Sequence, residues 1–329
     1  MLINRSVDKK LSIIVPIYKV EAYIRESLKS IFRQGLFDSD FEVLLVNDGT
    51  PDNSIGVVSD IISQHDNIIV INQENSGVSM ARNAGLAAAQ GRYVYFMDPD
   101  DLLVENALSV LLPKLLYNSP DILMAGYCRF SDGEDYSSHI RVDQHYSEHI
   151  KTGEQAFLED LSPYECYIWM MLIRRDFLLS NNIFFKPFWY EDTLFCQECF
   201  IKAKSVVRTK FQLYVYRLRE GSFTSSMNLN KMVDLNSCLS ALIDLKDTVP
   251  MPKTVKRKLM DNVFSSFSYG IWCISHNATI YEERKKIVSD LKAKIPPSQF
   301  MFYGNVKHLF VSFMFRYLPY IYLALRKRC

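Results

Sequence analysis

The stretch GRYVYFMDPDD (91–101) delivers three carboxylates, Asp98, Asp100 and Asp101, directly after an apolar run from Tyr93 to Met97. Acids gathered at the end of a buried strand repel one another, so either their pKa values rise or a cation joins them. A hard divalent cation such as Mg2+ or Mn2+ takes one or two carboxylates and completes its shell with water and substrate phosphate oxygens. The acid-x-acid pair Asp98 and Asp100 therefore reads as a site for a metal and a diphosphate. Capping of a following helix would account for Asp100 or Asp101, but not for Asp98. Asp48, in VNDGTPDNS, can accept from a donor such as the imide N–H of a uracil ring. Tyr18 offers either a ring face for a base or a side chain for the core. Arg82 opens an Ala-rich helix, where it can pair with a carboxylate or phosphate or stand in solvent. Arg217 and Arg219, in YRLREGS, either reach a diphosphate or lie at the surface.

The elements that must position these residues come from periodicity. LSIIVPIY (11–18), FEVLLV (41–46), NIIVI (67–71) and RYVYFM (92–97) are continuous apolar runs rich in β-branched residues, hence buried strands. Between them Ile24, Leu28, Ile31 and Phe32 recur at helical spacing, as do Ile55, Val58, Ile61 and Ile62, and SGVSMARNAGLAAAQG (76–91) is a third helix. Strand alternating with helix predicts an α/β fold, a mostly parallel sheet with helices on its faces and right-handed connections. Asn47-Asp48-Gly49 is hairpin chemistry, but the helical spacing after it makes a strand-to-helix loop. Ligands of such sheets bind beyond the carboxyl ends of the strands, so Tyr18, Asp48 and Asp98 should share one crevice. Further on come a helix over 104–117, bent or ended near Pro113, a strand over 121–127, and a T-x-x-Q capping box in TGEQAFLEDL. From about 226 onward the spacing is mainly helical. The expected division is 1–225 and 226–329.

Among 329 residues, 38 Lys and Arg face 37 Asp and Glu; this balance excludes a general nucleic-acid binder. Seven cysteines without a framework suit a reducing cytosol. The CxxC pair Cys196 and Cys199 lacks the second pair, or spaced histidines, that zinc requires. The first apolar run is short and broken by Pro16, unlike a secretory leader, and no stretch reads as a spanning helix. The expected location is cytoplasmic. HLFVSFMFRYLPYIYLALRKRC (308–329) carries a wide apolar, aromatic surface with a basic end. It reads as a core helix or as an interfacial helix on an anionic inner membrane face.

SIIVPIYKVEAYI, VLLVNDGTPDNS, NSGVSMARNAGL and GRYVYFMDPDD, in this order and spacing, resemble the motifs of family 2 glycosyltransferases with the GT-A fold. The resemblance covers about 11–105 and continues more weakly in FWYEDTLFC (188–196). It implies an inverting transfer of one sugar from a nucleoside diphosphate sugar, a UDP-sugar, to a glycan or lipid-linked acceptor in bacterial polysaccharide synthesis. By this resemblance Pro16, Tyr18, Glu21, Asp48 and Asp98 contact the donor, and Arg82 joins them on its own reading above. Asp98 and Asp100 bind Mn2+ or Mg2+, and Asp192 is the catalytic base, with Glu191 as the alternative. Lys19 departs from the family's usual Asn, and no QxxRW motif of processive synthases is present.

Two enzyme classes are poor fits, because VPIYKVEAY has no glycine after the first strand. A nucleotidyltransferase would open there with a Gly-rich phosphate loop, and a dinucleotide oxidoreductase with GxGxxG. A non-catalytic nucleotide-sugar-binding module would keep Asp48 and the crevice but could dispense with Asp192 and the acid pair.

Overall fold

The computed structural model describes residues 9–140, 149–162, 165–219, 229–276, 288–289, 310–311, 313–314 and 317. They fall into two compact units. The first comprises Met1–Ala156, Tyr167–Pro187 and Lys202–Glu220, the second Phe157–Cys166, Phe188–Ile201 and Gly221–Cys329. In this grouping 157–166 and 188–201 go with the C-terminal part.

The first unit is built on one sheet of nine strands. Its first half is β3 (Ile68–Gln73), β2 (Phe41–Asp48), β1 (Leu11–Ile17) and β4 (Tyr93–Phe96), all parallel. Every residue of β1 and β4 is buried, which is why these strands lack alternation. The connecting helices are α1 (Ile24–Phe32), α2 (Ser59–Gln64) and α3 (Val78–Ala88). α3 lies so close to the sheet that a Cβ on Gly85 would come within 2.4 Å of the Ile14 side chain.

The second half continues β4–β8–β6–β9–β5, with β7 (Ile150–Lys151) on β9. Here β5 is Leu102–Leu103, β6 Ile122–Ser131, β8 Met171–Arg174 and β9 Val206–Leu218. β8 is antiparallel to both β4 and β6, and β6 is parallel to β9. It follows that β6 and β9 run in the same direction as β4, and their carboxyl ends meet the edge where β1, β2 and β4 end. The β6–β9 register sets Tyr127 beside Tyr214 and Arg129 beside Tyr216. With a side-chain period of two, these four share one face.

Two local expectations change in detail, and a third is met as stated. The helix expected over 104–117 is α4 (Ala107–Asn118) and runs through Pro113, because Leu102 and Leu103 are drawn into the sheet against β9. The strand expected over 121–127 extends to Ser131. The capping box forms before α5 (Gly153–Glu159): the Gln155 amide donates to Thr152 Oγ1 and the Thr152 amide to Gln155 Oε1. A short helix α6 (Arg175–Ser180) follows β8.

In the second unit, α7 spans Glu191–Lys202, of which 191–201 belong to this unit, α8 spans Leu229–Thr248 and α9 Lys253–His276. Met232, Leu235, Leu239 and Leu242 on α8 and Val255, Leu259, Val263 and Phe267 on α9 are buried, at the three- and four-residue spacings of packed helices. Gln197 of α7 and Asn262 of α9 join by a buried hydrogen bond of 2.8 Å. The helix expected at 308–329 lies, apart from 310, 311, 313, 314 and 317, outside the described residues. Among those described, no helix is long and apolar enough to cross a membrane.

Candidate donor site

Asp48 closes β2 and is buried. Its Oδ1 accepts from Gln73 Nε2 at 2.7 Å and from the Ser76 amide at 2.8 Å, while Oδ2 accepts from the Gly77 amide at 2.9 Å. A carboxylate offers about four acceptor positions, so the end of β3 and the loop before α3 together use most of them. Asp48 thus organises that loop first, with little acceptor capacity left for a base.

Tyr18 follows β1 and is 42% exposed, which decides against the core alternative. Lys19 has a φ of 54° and places Nζ 5.2 Å from the centre of the Tyr18 ring. Pro16 is buried inside β1 opposite Val46. Glu21 is exposed and accepts from the Asn53 amide, tying the loop after β1 to the loop after β2.

The three acids are neutralised in three different ways. Asp98 accepts from Arg82 Nη2 at 2.9 Å, and the Arg82 side chain is only 4% exposed. Arg82 is therefore a buried partner of the crevice, not a solvated helix residue, and its guanidinium lies 5.2 Å above the Phe185 ring. Asp100 Oδ2 accepts from Arg219 Nε at 2.9 Å and from Nη2 at 2.6 Å. Asp101 is 2% exposed. Its Oδ2 accepts from the Tyr214 hydroxyl and its Oδ1 from the Arg217 amide, both at 2.7 Å. Burial, then the charges of Asp100 and Asp98, push the Asp101 carboxyl well above the usual range, opposed by the Arg217 amide and Tyr214. The Tyr214 hydroxyl also accepts from the Asp98 amide at 3.3 Å.

Helix capping is thereby overturned for Asp100 and Asp101, since α4 begins only at Ala107. Arg217 is a buried hub: Nε donates to the Asp100 carbonyl, Nη1 to Asp132 and Nη2 to Glu26. Tyr214 was not legible as a site residue, because it meets Asp101, 113 positions away, only when β9 packs beside β5. Behind Tyr214 the rings of Trp169 and Tyr167 stack at 4.3 and 4.7 Å.

A divalent cation fits this donor set. Asp98 and Asp100 offer hard oxygens, and Asp100 Oδ1 takes no hydrogen bond among the described residues. No group of three or more His, Cys, Asp or Glu side chains able to hold a metal is found among those residues, so the protein's share would be two carboxylates and the rest water and phosphate.

Asp192 and Glu191 lie in the first turn of α7 and belong to the second unit. Acids there are favoured by the exposed amides of a helix start. Asp192 lies close enough to Cys166 to act on its thiol, which is pushed up to about 12 by burial and then by the charges of Asp192 and Glu165. Cys196 and Cys199 are buried thiols on α7.

Residues 12–179, about half of the chain, match the family model described as Glycosyl transferase family 2. The uncharacterized glycosyltransferase EpsJ of Bacillus subtilis is 34% identical over 223 residues, 65% of this chain; the chain spans 62% of the length of EpsJ. The crystal structure of S. aureus TarS 1–349 in complex with UDP-GlcNAc superposes with a TM-score of 0.78 at 20% identity, covering 97% of this chain and 90% of that one. The mannosyltransferase PcManGT from Pyrobaculum calidifontis, in complex with GDP-Man and Mn2+, superposes with a TM-score of 0.56 at 15% identity, covering 97% and 87%. The sheet with its flanking helices is the GT-A fold, and with the family match over 12–179 it identifies this chain as a member of glycosyl transferase family 2.

Proposed function

We propose that the chain moves one sugar from a UDP-sugar to an acceptor hydroxyl with inversion at the anomeric carbon. The observation that carries this reading is the pair Asp98 and Asp100 at the carboxyl edge of the sheet, each with a guanidinium beside it. The UDP-GlcNAc complex of TarS supports a uridine donor, and the Mn2+ complex of PcManGT supports a cation.

In this mechanism Tyr18 stacks on the base and the loop organised by Asp48 closes beside it. Asp98 and Asp100 would hold Mn2+ or Mg2+, which when bound neutralises the departing diphosphate. Arg82 orients Asp98 and balances its charge. Arg219 balances the charge of Asp100 through Nε and Nη2, beside the carboxylates that would hold the cation. Asp192 takes the proton of the acceptor hydroxyl as its oxygen attacks the anomeric carbon; the diphosphate leaves from the opposite face. The acceptor is a glycan, lipid-linked, in surface-polysaccharide assembly. Residues 308–329 attach the protein peripherally to the inner membrane face.

The test is a panel of nucleotide sugars assayed with Mn2+ and with chelator. Asp192→Asn should lose about 10²–10⁴-fold of transfer while UDP affinity stays within about twofold. Undiminished transfer would move the base to Glu191 or elsewhere. A parent protein that binds the donor yet neither transfers nor hydrolyses it would be a binding module.

A further inference from the structure

Between the end of β1 and the start of α1, three successive amides, those of Lys19, Val20 and Glu21, lie outside both elements and need partners. All three find them in one place. Lys19 N–H donates to Thr50 Oγ1 at 2.8 Å, Val20 N–H to Ser54 Oγ at 3.0 Å and Glu21 N–H to Asp52 Oδ2 at 3.1 Å. The two hydroxyls are themselves fixed by Asp52, whose Oδ1 accepts from Thr50 Oγ1 at 2.6 Å and Ser54 Oγ at 2.5 Å. Oδ1 also accepts from the Ser54 amide. Glu21 returns the contact by accepting from the Asn53 amide at 2.9 Å. One carboxylate thus orients two hydroxyls as acceptors and serves as the third acceptor itself.

The segment so held is unusual. Lys19 sits at a φ of 54°, a region that L residues seldom adopt and that surrounding contacts must hold. That conformation turns its ammonium toward the ring of the exposed Tyr18. We propose that Asp52, acting through Thr50 and Ser54, is a positioning residue that clasps the backbone of 19–21 and so presents Tyr18 and Lys19 together as one wall of the nucleotide site. This rests on the donor reading above for the identity of the ligand, but the clasp itself is independent of it. Lys19 becomes a specificity residue: its ammonium, at the edge of the stacking ring, favours a nucleotide with an acceptor oxygen there.

The chemistry of substitution is directional. In Asp52→Asn an NH2 replaces one oxygen, so it must face either the Glu21 N–H or the Thr50 and Ser54 donors. Thr50→Val keeps shape but loses the hydroxyl; Thr50→Ser keeps it. Amide hydrogen exchange of residues 19–21 in the full chain and the Kd for UDP are measured for all three variants. Asp60→Asn, which breaks the exposed Arg25–Asp60 pair on α1 and α2, is the control for general destabilisation. Asp52→Asn and Thr50→Val should speed exchange at 19–21 about tenfold or more and weaken UDP binding about fivefold or more through the smaller competent population. Thr50→Ser should stay near the parent. Unchanged exchange overturns the clasp. Faster exchange with parental UDP affinity, or equal weakening in Asp60→Asn, overturns the positioning role. A parent that binds neither UDP nor GDP overturns the donor reading and the nucleotide role with it, while exchange at 19–21 still decides the clasp.

Discussion

The two halves of the sheet reach the same edge by different routes. In the parallel half, β3, β2, β1 and β4 follow one another within ninety positions, and each loop is held by its neighbour in sequence: Asp48 binds 73–77, and Asp52 binds 19–21. In the mixed half, β8, β6, β9 and β5 come from scattered segments, and the acids after β4 are anchored by Tyr214, Arg217 and Arg219. The parallel half presents surfaces to a ligand; the mixed half holds the acidic loop against its own repulsion. Substitutions in the first should therefore register mainly in donor affinity, and in the second mainly in stability.

The largest expected separation is between Trp169 and Tyr18. Trp169 is 3% exposed and stacked between Tyr167 and Tyr214, so Trp169→Ala should cost about 3–5 kcal/mol. Tyr18→Ala removes an exposed ring and should change stability by no more than about 0.5 kcal/mol, while weakening UDP binding. Urea denaturation with parallel UDP titration measures both, and similar stability losses in the two variants would break the comparison. A smaller effect is expected at Asp101. Asp101→Ala strands the Tyr214 hydroxyl and the Arg217 amide, a loss of about 1–3 kcal/mol. Asp101→Asn keeps an acceptor oxygen and adds no charge to a site whose burial already opposes one, so its midpoint should lie closer to the parent's than that of Asp101→Ala.

The smallest effect sharpens the comparison through pH. Burial opposes the charge of Asp52, but hydrogen bonds from Ser54, Thr50 and the Glu21 amide hold its carboxyl below the ordinary 3.8. A carboxylate depressed in the folded state contributes stability that is complete above 3.8 and is lost as pH falls through the lowered value. The Tm of Asp52→Asn should lie below the parent's at pH 7 and approach it as pH falls below about 3.8. A gap that persists unchanged in acid would remove the ionised carboxylate from the clasp.

Most of the parallel half was legible, because a strand buried on both faces is a continuous apolar run and a βα loop carries its own turn residues. Asp48, Asp98 and Tyr18 were placed at one edge on that ground alone. The grouping of 157–166 and 188–201 with the second unit was not legible, since packing rather than any local pattern brings them there.

What the amino-acid order determined by itself is the family, the run of alternating strands and helices, and the point where the acids emerge; these depend on local periodicity and on motif spacing along one stretch of chain. Tertiary structure alone decided which acid does what. Asp98, Asp100 and Asp101 are chemically alike and adjacent, yet one meets Arg82, one meets Arg219, and one is buried against Tyr214 and the Arg217 amide. Their partners lie 16 to 119 positions away. The packing of α3 for Asp98, and of β9 and the residue after it for Asp100 and Asp101, rather than any property of the four-residue stretch, chose among them.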